Sequence, residues 1–532
     1  MGGLLARARY WINGAAEKLR CSPAGKALLA TLIIAAVPRI IALTRTGGAF
    51  FDTGDYIYLA HHIRQWRFAG YNGSHTPVYP LFLVLTGATD SFVPAPAKRA
   101  APARSRNFAV RGSPWWRRHG TAPDFAQRSP HRIEASKAAA ANRHFAPAGQ
   151  YWPRPMVFHP AKFWIARLLQ NALGLLTVAM LFAMIYRRTQ SASCALVAGA
   201  AYGAYLEPIF YEQFVLSEAV CTFLLMSSVL MLQSISFERI TRRVAYAALG
   251  VLLGLVALTR PLYAYLTPFV IVFLVIANRR ASLNSRMAKA ASMAIPALTM
   301  IFGWCLFNWV NVGYFGIATD LGFNLINHSG AFIELAPDKY AGIRDPYLKE
   351  RAAQVARGDP PEDAIFAISA DICRRSRFHY VQLSRELTRM SLEMFAAHPL
   401  LYAEGVARAW GRFWLGDTLK NPNYPIVGLK GLSRQIWTVE SIATIPLSLI
   451  FLLCAAKLAF EFKRRDRYWK FDACAAAAVL AASVLQALVA FGTNSRYAAP
   501  TMPLVAYSVA VSIWRFRQGR LSPPAATPAP GA

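Results

Sequence analysis

Apolar runs long enough to cross a lipid bilayer divide this chain. The hydrocarbon core of a bilayer is about 30 Å thick, and a helix of about 20 apolar residues spans it. Hydrophobic residues make up 55% of the 532 residues, which is too much for one soluble domain. We therefore predict an all-α polytopic membrane protein with about ten or more transmembrane helices. The predicted spans are 27–43, 162–186, 192–210, 217–236, 244–260, 262–278, 288–310, 436–458, 470–491 and 498–514.

Basic residues beside these runs predict the orientation. If the N-terminus is cytoplasmic, every basic cluster between spans also falls in the cytoplasm, as the positive-inside rule requires. The clusters account for most of the net charge of +31, so we expect membrane lipids as partners and no nucleic acid. The run 27–43 follows basic residues but has no clear small-residue cleavage site, which indicates an uncleaved anchor. The seven cysteines are scattered and indicate packing rather than disulfides or a zinc site.

Five regions follow from this topology. Residues 1–90 comprise a cytoplasmic N-terminus, the first transmembrane helix and the first outer loop, and 156–310 form transmembrane helices. Residues 311–435 show helical periodicity and predict an outer-face, periplasmic helical domain that covers the site. Residues 436–532 form the last transmembrane helices and a cytoplasmic tail.

The remaining region, 91–155, has a different composition. It contains twelve Lys and Arg residues against two acidic residues, together with nine prolines and no hydrophobic period. Such a segment buries too little apolar surface to offset its ordering entropy. We predict a disordered basic insertion in the first outer loop.

Ionisable residues at the predicted outer ends of the spans are the candidate functional residues. Asp52 and Asp55 lie in an aromatic stretch just after the first span, and Glu218 begins the fourth. Arg260 and Arg496 lie at outer boundaries, where positive charge is disfavoured, so each calls for an anionic partner. The planar guanidinium group of arginine suits phosphate oxygens.

Each candidate also has a simpler structural interpretation. Asp52 and Glu218 could only cap the helices that begin beside them. Arg260 and Arg496 could pair with Glu218, Asp55 or a lipid headgroup. His75 could be a polar interface residue, and because no second ligand has suitable spacing, we predict no metal site.

Taken together, these residues resemble the GT-C superfamily of membrane glycosyltransferases. More narrowly, they are similar to its bacterial protein O-mannosyltransferases and lipid A aminoarabinose transferases. The likeness covers the chain outside 91–155, with departures at Thr53, where many relatives carry a second acid, and at Val78, where glycine is common. The matching residues are Asp52, Tyr56, Ala60, Thr76-Pro77, Tyr79 to Leu83, Gln170, Ser217-Glu218, Thr259-Arg260-Pro261, Asn308, Gly313-Tyr314-Phe315, His398-Pro399, Arg496-Tyr497, Pro500 and Pro503.

The resemblance implies a GT-C-like fold in the bacterial inner membrane, with the site on the periplasmic face. It also implies sugar transfer from a polyprenyl-phosphate donor to a lipid, glycan or protein acceptor, without a further cofactor. Such chemistry needs a base for the acceptor hydroxyl and cations for the departing phosphate. The predicted catalytic base is Asp52. The predicted substrate-binding residues are Asp55, Tyr56, His75, Glu218, Arg260, Arg496 and Tyr497.

Two other functions fit the same pattern. A flippase or transporter of lipid-linked saccharides would also carry charged residues among its helices. It would need a polar path across both leaflets, whereas the candidates gather at one predicted face. An inactive membrane scaffold of the same fold is the third interpretation, because the insertion interrupts the first outer loop.

Overall fold

The structure is a computed structural model that describes residues 22–44, 52–94, 156–158, 160–237, 242–277, 281–358, 360–415, 430–461, 467–492 and 494–521. The described chain is almost entirely helical. In chain order the helices are α1 (Pro23–Leu43), α2 (Thr53–Gln65), α3 (Val78–Leu85), α4 (Trp164–Thr189), α5 (Ala192–Ala204), α6 (Leu206–Glu212), α7 (Glu218–Ser236), α8 (Arg243–Ala257), α9 (Leu266–Ala277), α10 (Leu283–Val312), α11 (Leu321–Ser329), α12 (Ala341–Arg357), α13 (Ala364–Ser376), α14 (Tyr380–Ala397), α15 (Pro399–Trp414), α16 (Lys430–Glu461), α17 (Arg467–Val489), α18 (Asn494–Ala498) and α19 (Met502–Leu521).

Six of the described helices are long and apolar enough to cross a membrane: α1, α4, α7, α10, α16 and α17. This agrees with a polytopic membrane protein but gives fewer spans than the ten predicted. Three other predicted spans correspond to the shorter apolar helices α5, α8 and α9. The tenth predicted span, 498–514, corresponds to α19, which is 20 residues long but carries basic residues such as Arg515 and Arg517 in its final turns.

Breaks in the backbone explain why some predicted spans are short. The predicted span 192–210 is divided at Tyr205, whose backbone is extended between α5 and α6. The predicted span 262–278 begins with a 3₁₀ helix, Pro261–Tyr265, before α9. Hydropathy averages over such breaks, because it records apolarity and not backbone conformation.

The transmembrane helices pack through small residues on one side and expose apolar residues on the other. Gly250 of α8 leaves no room for a Cβ atom beside the backbone of Met293 in α10. Small residues of this kind let two membrane helices approach closely. On α1, by contrast, Leu29, Ile33 and Ile40 are all more than half exposed, as expected for a lipid-facing surface.

Residues 313–397 form a second helical unit, containing α11 to α14, with its own hydrophobic core. Phe323, Ile326, Tyr347, Ile365 and Leu387 are fully buried in that core. The helices fall within the predicted helical domain 311–435, of which residues 416–429 lie outside the described residues. The amphipathic α15 joins this unit to the transmembrane helices, since Tyr402 donates to the Leu488 carbonyl oxygen (2.8 Å).

A two-stranded antiparallel sheet lies at the ends of the predicted insertion. Strand β1 (Phe92–Pro94) pairs with β2 (Met156–Phe158), and Pro94 lies opposite Met156. The prediction of disorder over 91–155 therefore begins too early, because residues 92–94 are paired. Residues 95–155 lie outside the described residues.

Candidate functional site

Four charged side chains from distant parts of the chain form one cluster. Arg496 Nη2 lies 2.7 Å from Asp52 Oδ2, and Arg496 Nε donates to Glu218 Oε1. Arg260 Nη1 lies 3.2 Å from that same Glu218 oxygen. The Glu218 side chain is only 2% exposed, whereas that of Asp52 is 27% exposed. The cluster therefore has a buried end at Glu218 and an open end at Asp52.

Asp52 is the N-cap residue of α2, but its carboxylate makes no capping hydrogen bond. The helix start is held instead by Thr53, whose hydroxyl donates to the Val215 carbonyl oxygen (3.2 Å), next to the start of α7. One turn later the Tyr56 hydroxyl lies 3.0 Å from Ser217 Oγ. These contacts fix α2 against α7 and leave the Asp52 carboxylate facing Arg496. Helix capping alone does not explain this residue.

Arg260 and Arg496 follow or precede transmembrane helices whose ends meet. Arg260 follows α8 and, in an extended conformation, precedes the 3₁₀ helix Pro261–Tyr265, whereas Arg496 lies in the short helix α18 between α17 and α19. The Arg260 guanidinium stacks 4.8 Å from the centre of the Tyr497 ring. Tyr263 in turn donates to the Tyr497 carbonyl oxygen (3.2 Å). Both arginines are thereby oriented toward Glu218.

The loop after α2 completes one wall of the site. His75 Nδ1 lies 2.9 Å from Ser74 Oγ, and the His75 ring meets the edge of Tyr56 at 4.6 Å. The Tyr71 hydroxyl donates to the His75 carbonyl oxygen and to Asn308 Oδ1 of α10, both at 3.1 Å. Two of the predicted site residues, His75 and Tyr56, are thus in contact in this wall.

The local electrostatics distinguish Asp52 from its neighbours. Burial raises the pKa of the Asp52 carboxyl, but Arg496, with smaller contributions from His75 and Arg260, more than offsets this, so the pKa lies below its usual value. Burial lowers the pKa of His75 to about 4, although Asp52 opposes this. At neutral pH the site therefore holds an ionised Asp52 beside a neutral His75.

Asp55, a predicted substrate-binding residue, interacts with Asp52. The two lie three positions apart at the start of α2, and residues three apart on a helix share a face. Burial raises the pKa of Asp55 well above its usual value, and the charges of Asp320 and Asp52 raise it further. Unlike Asp52, Asp55 therefore favours its neutral form.

Sequence reasoning missed Asp320 and Tyr380, which belong to the second helical unit. The Tyr380 hydroxyl donates to Asp320 Oδ1 (2.8 Å), and burial, with the charge of Asp52, raises the pKa of Asp320 to about 7 despite that hydrogen bond. The signal in the sequence was weak, because Asp320 lies outside the apolar runs that define span ends. Within the described ranges, no group of three or more His, Cys, Asp or Glu side chains is arranged to hold a metal ion.

A second charged cluster, also missed, lies at the opposite ends of the helices. Asp472 of α17 accepts from Arg188 (3.0 Å), Arg515 (2.6 Å) and Tyr507 (2.6 Å). Its arginines come from two of the basic clusters that predicted the cytoplasmic side. Asp472 therefore joins α4, α17 and α19 away from the Asp52 cluster.

Comparison with known proteins adds little. No protein-family model and no curated protein sequence matches the chain. Among solved structures, the archaeal oligosaccharyltransferase AglB from Archaeoglobus fulgidus, in complex with an inhibitory peptide and a dolichol-phosphate, is similar at 13% identity and a TM-score of 0.42. The match covers 93% of this chain and 52% of that one, so this chain spans about half its length. A similarity this low does not establish a shared fold or activity.

Proposed function

We propose that this protein is a GT-C-like membrane glycosyltransferase that moves a sugar from a polyprenyl-phosphate donor to a lipid, glycan or protein acceptor. The observation that carries the proposal is the ion pair between the buried Arg496 and the partly exposed Asp52. Arg496 also binds the buried Glu218, which keeps the guanidinium in place whichever anion occupies its other edge. A phosphate group arriving from the open side would displace Asp52 from Arg496.

This displacement would couple donor binding to catalysis. While Asp52 is paired with Arg496, its pKa is lowered and it is a weak base. Once a donor phosphate occupies Arg496, with Arg260 nearby, Asp52 is released and its basicity rises. The acceptor hydroxyl then gives its proton to Asp52 as its oxygen bonds to the sugar anomeric carbon. The bond from that carbon to the phosphate oxygen breaks, and the polyprenyl phosphate leaves with the electron pair.

An apolar cavity lies between the transmembrane helices. Tyr263, whose hydroxyl bonds to the Tyr497 backbone, lines this cavity between α7, α8, α9 and α17. Its other lining residues include Leu225, Leu249, Leu253 and Phe269. Its volume of about 30 Å³ has room for about one water molecule. The isoprenoid chain of a donor bound at Arg260 and Arg496 would therefore lie at the lipid-facing surface of the helices and not in this cavity.

The cavity also bears on the transporter interpretation. A flippase for a charged saccharide needs polar groups across the membrane, but most of the residues that line this cavity are apolar. The charged clusters at Glu218 and Asp472 therefore remain separate. We favour an enzyme in the bacterial inner membrane with its site on the periplasmic face, acting on membrane-bound substrates.

The test deletes the gene for this protein in its native host and measures polyprenyl-linked sugars in lipid extracts by mass spectrometry. A glycosyltransferase of this kind should leave its donor to accumulate, and the intact gene should reverse the accumulation. Purified protein should also bind undecaprenyl phosphate in native mass spectrometry. An unchanged lipid profile together with no binding would contradict the proposal.

A further inference from the structure

The Asp472 cluster, made of Asp472, Arg188, Arg515 and Tyr507, joins three helices. Asp472 Oδ2 of α17 lies 3.0 Å from Arg188 Nε of α4 and 2.6 Å from Arg515 Nη2 of α19. The Tyr507 hydroxyl of α19 donates to the other Asp472 oxygen (2.6 Å). The Asp472 side chain is 4% exposed, whereas those of Arg188 and Arg515 are 12% and 20% exposed. The carboxylate is therefore enclosed, and both guanidinium groups reach the surface.

Aromatic rings hold these two guanidinium groups in place. The guanidinium carbon of Arg188 lies 5.4 Å from the centre of the Tyr468 ring, and that of Arg515 lies 4.3 Å from the centre of the Trp469 ring. The Trp469 indole is fixed in turn, because its N–H donates to the Leu458 carbonyl oxygen of α16 (3.3 Å). A guanidinium group has five N–H donors in one plane. Each arginine is thus oriented by Asp472 and a ring, and it keeps donors for a further anion.

The charges of the Asp472 cluster do not balance. Within the part of the chain that the structure describes, Asp472 is the one acid with which Arg188 or Arg515 forms an ion pair. Two positive charges therefore meet one negative charge. A partly buried charge is costly unless it is paired. One positive charge is left for an anion from outside the chain.

Other basic residues at this end of the protein have a different role. Arg286 donates to the Val275 carbonyl oxygen (2.9 Å), and Lys470 donates to that of Ala277 (3.3 Å). Both carbonyl groups lie in the last turn of α9, where the helix leaves them without partners. These two side chains complete a helix end. The arginines of the Asp472 cluster are not used in that way.

We propose that Arg188 and Arg515 bind the phosphate of an anionic phospholipid in the leaflet opposite the Asp52 cluster. On the predicted orientation this is the cytoplasmic leaflet. The planar guanidinium group can donate two parallel hydrogen bonds to phosphate oxygens. Basic pockets between transmembrane helices on this side of a membrane are suited to anionic headgroups. The inference goes beyond the proposed function and does not depend on sugar transfer.

Exposed apolar residues beside the arginines favour a lipid over free phosphate. Ile513 and Phe516 are exposed on the same turns of α19 as Arg515, as expected for a surface that contacts acyl chains. Tyr468 and Trp469 are of the two residue types that are enriched at the headgroup level of membranes. Phosphatidylglycerol fits this combination, because its phosphate carries one negative charge and its glycerol adds none. Its charge would neutralise the excess positive charge of the cluster.

The experiment measures lipid binding to the purified full-length protein in a nonionic detergent by native mass spectrometry. Dioleoyl phosphatidylglycerol is the probe, and dioleoyl phosphatidylcholine, which has the same phosphate and chains but no net charge, is compared with it. We expect Arg188→Gln and Arg515→Gln each to weaken phosphatidylglycerol binding about tenfold, the size of one hydrogen bond to a charged group. The double variant should lose one tightly bound phosphatidylglycerol and keep its binding of phosphatidylcholine.

Arg286→Gln is the matched control, since it removes the same charge from the same end of the protein and leaves the Asp472 cluster intact. It should bind phosphatidylglycerol as wild type does. If Arg188 and Arg515 only joined the helices, the double variant would melt at a lower temperature without any change in lipid preference. That result, or equal loss of binding in Arg286→Gln, would overturn the inference. Displacement of phosphatidylglycerol by sodium phosphate would assign the site to free phosphate instead.

A second measurement needs no substitution and decides the matter if the double variant does not fold. Phosphatidylglycerol with a photoactivatable diazirine in one acyl chain should cross-link to wild-type protein in the peptide that contains Ile513 and Phe516. Excess phosphatidylglycerol should suppress this cross-link, and excess phosphatidylcholine should not. The absence of a cross-link in this peptide, or equal suppression by both lipids, would contradict a site for an anionic phospholipid.

Discussion

Arg496 bonds to Asp52 and Glu218 at the same time, and the two acids differ in exposure. Glu218 is buried and is shared with Arg260, whereas Asp52 is the accessible partner at 2.7 Å. A buried arginine with one fixed anion and one replaceable anion is suited to bind a further anion. We expect that anion to be a lipid phosphate.

Replacing Asp52 with Asn should abolish most turnover while leaving expression and donor binding intact. Asn keeps the size of the side chain but cannot accept a proton, so we expect a loss of roughly two to four orders of magnitude. Donor-lipid levels in complemented cells measure this loss. Asp55→Asn should cost less, because the raised pKa of Asp55 favours its neutral acid, which Asn resembles. A larger loss for Asp55→Asn would transfer the base role to Asp55.

Replacing Arg260 or Arg496 with Lys keeps the charge and removes the planar guanidinium group, which can donate two parallel hydrogen bonds. We expect Arg260→Lys and Arg496→Lys each to weaken undecaprenyl phosphate binding about tenfold, the size of one charged hydrogen bond. Native mass spectrometry or a titration of thermal stability measures the affinity. Arg408→Lys, at an exposed ion pair on α15, is the control. Unchanged binding in both Arg260→Lys and Arg496→Lys would exclude a phosphate-binding role for these arginines.

The orientation can be tested by labelling single cysteines with an impermeant reagent in a cysteine-free background. Asp338 has a side chain that is 95% exposed in the second helical unit, so Asp338→Cys should react from outside. Lys289→Cys and Arg465→Cys should stay unlabelled until the cells are opened, because both fall on the predicted cytoplasmic side. Labelling of Arg465→Cys in intact cells would reverse the orientation and the placement of the site.

Removing residues 95–155 should leave the fold intact. Pro94 and Met156 are already paired, so an Asn-Gly turn can join the two strands directly. We expect the thermal unfolding midpoint to change by less than about 4 °C, the size of a change of about 1 kcal/mol. Scanning calorimetry or fluorimetry of the purified protein provides the measurement. A large loss of stability would show that the segment is a structured element.

Asp320 should make stability depend on pH in a defined direction. Its pKa is raised from 3.8 to about 7, so the folded state holds a proton that the unfolded state releases between these values. Wild-type stability therefore falls from about pH 4 to about pH 7, and Asp320→Asn removes that loss. The difference in melting temperature, Asp320→Asn minus wild type, should rise over this range. The carboxyl group of Asp320 also interacts electrostatically with Asp52, Asp55, Tyr71 and Tyr380. The same measurement on Asp55→Asn, which removes one of these acids and keeps Asp320, provides a comparison. A difference that is flat with pH would contradict the raised pKa.

Hydropathy and charge alone determined that this chain is a helical membrane protein and which residues lie at the ends of its spans. A charged side chain is costly in hydrocarbon, so its position beside an apolar run is visible without any contact. Asp52, Glu218, Arg260 and Arg496 were all found in this way. The pattern predicted ten spans, whereas six of the described helices are long and apolar enough to cross a membrane. The break at Tyr205 and the 3₁₀ helix before α9 shorten two others, because they change backbone conformation without changing apolarity.

Only the tertiary structure decided which charges meet. Arg496 and Glu218 are 278 positions apart, and no local period relates them. Asp320 could not be selected from the sequence, because it is an ordinary acid before a short helix until Thr319 packs on Gly73 and Tyr380 bonds to it. Hydrophobic periodicity reports how each segment faces its surroundings. The distances between side chains on different segments depend on how the helices pack together, and that packing brought Arg260 and Arg496 to Glu218 and left Arg496 facing Asp52.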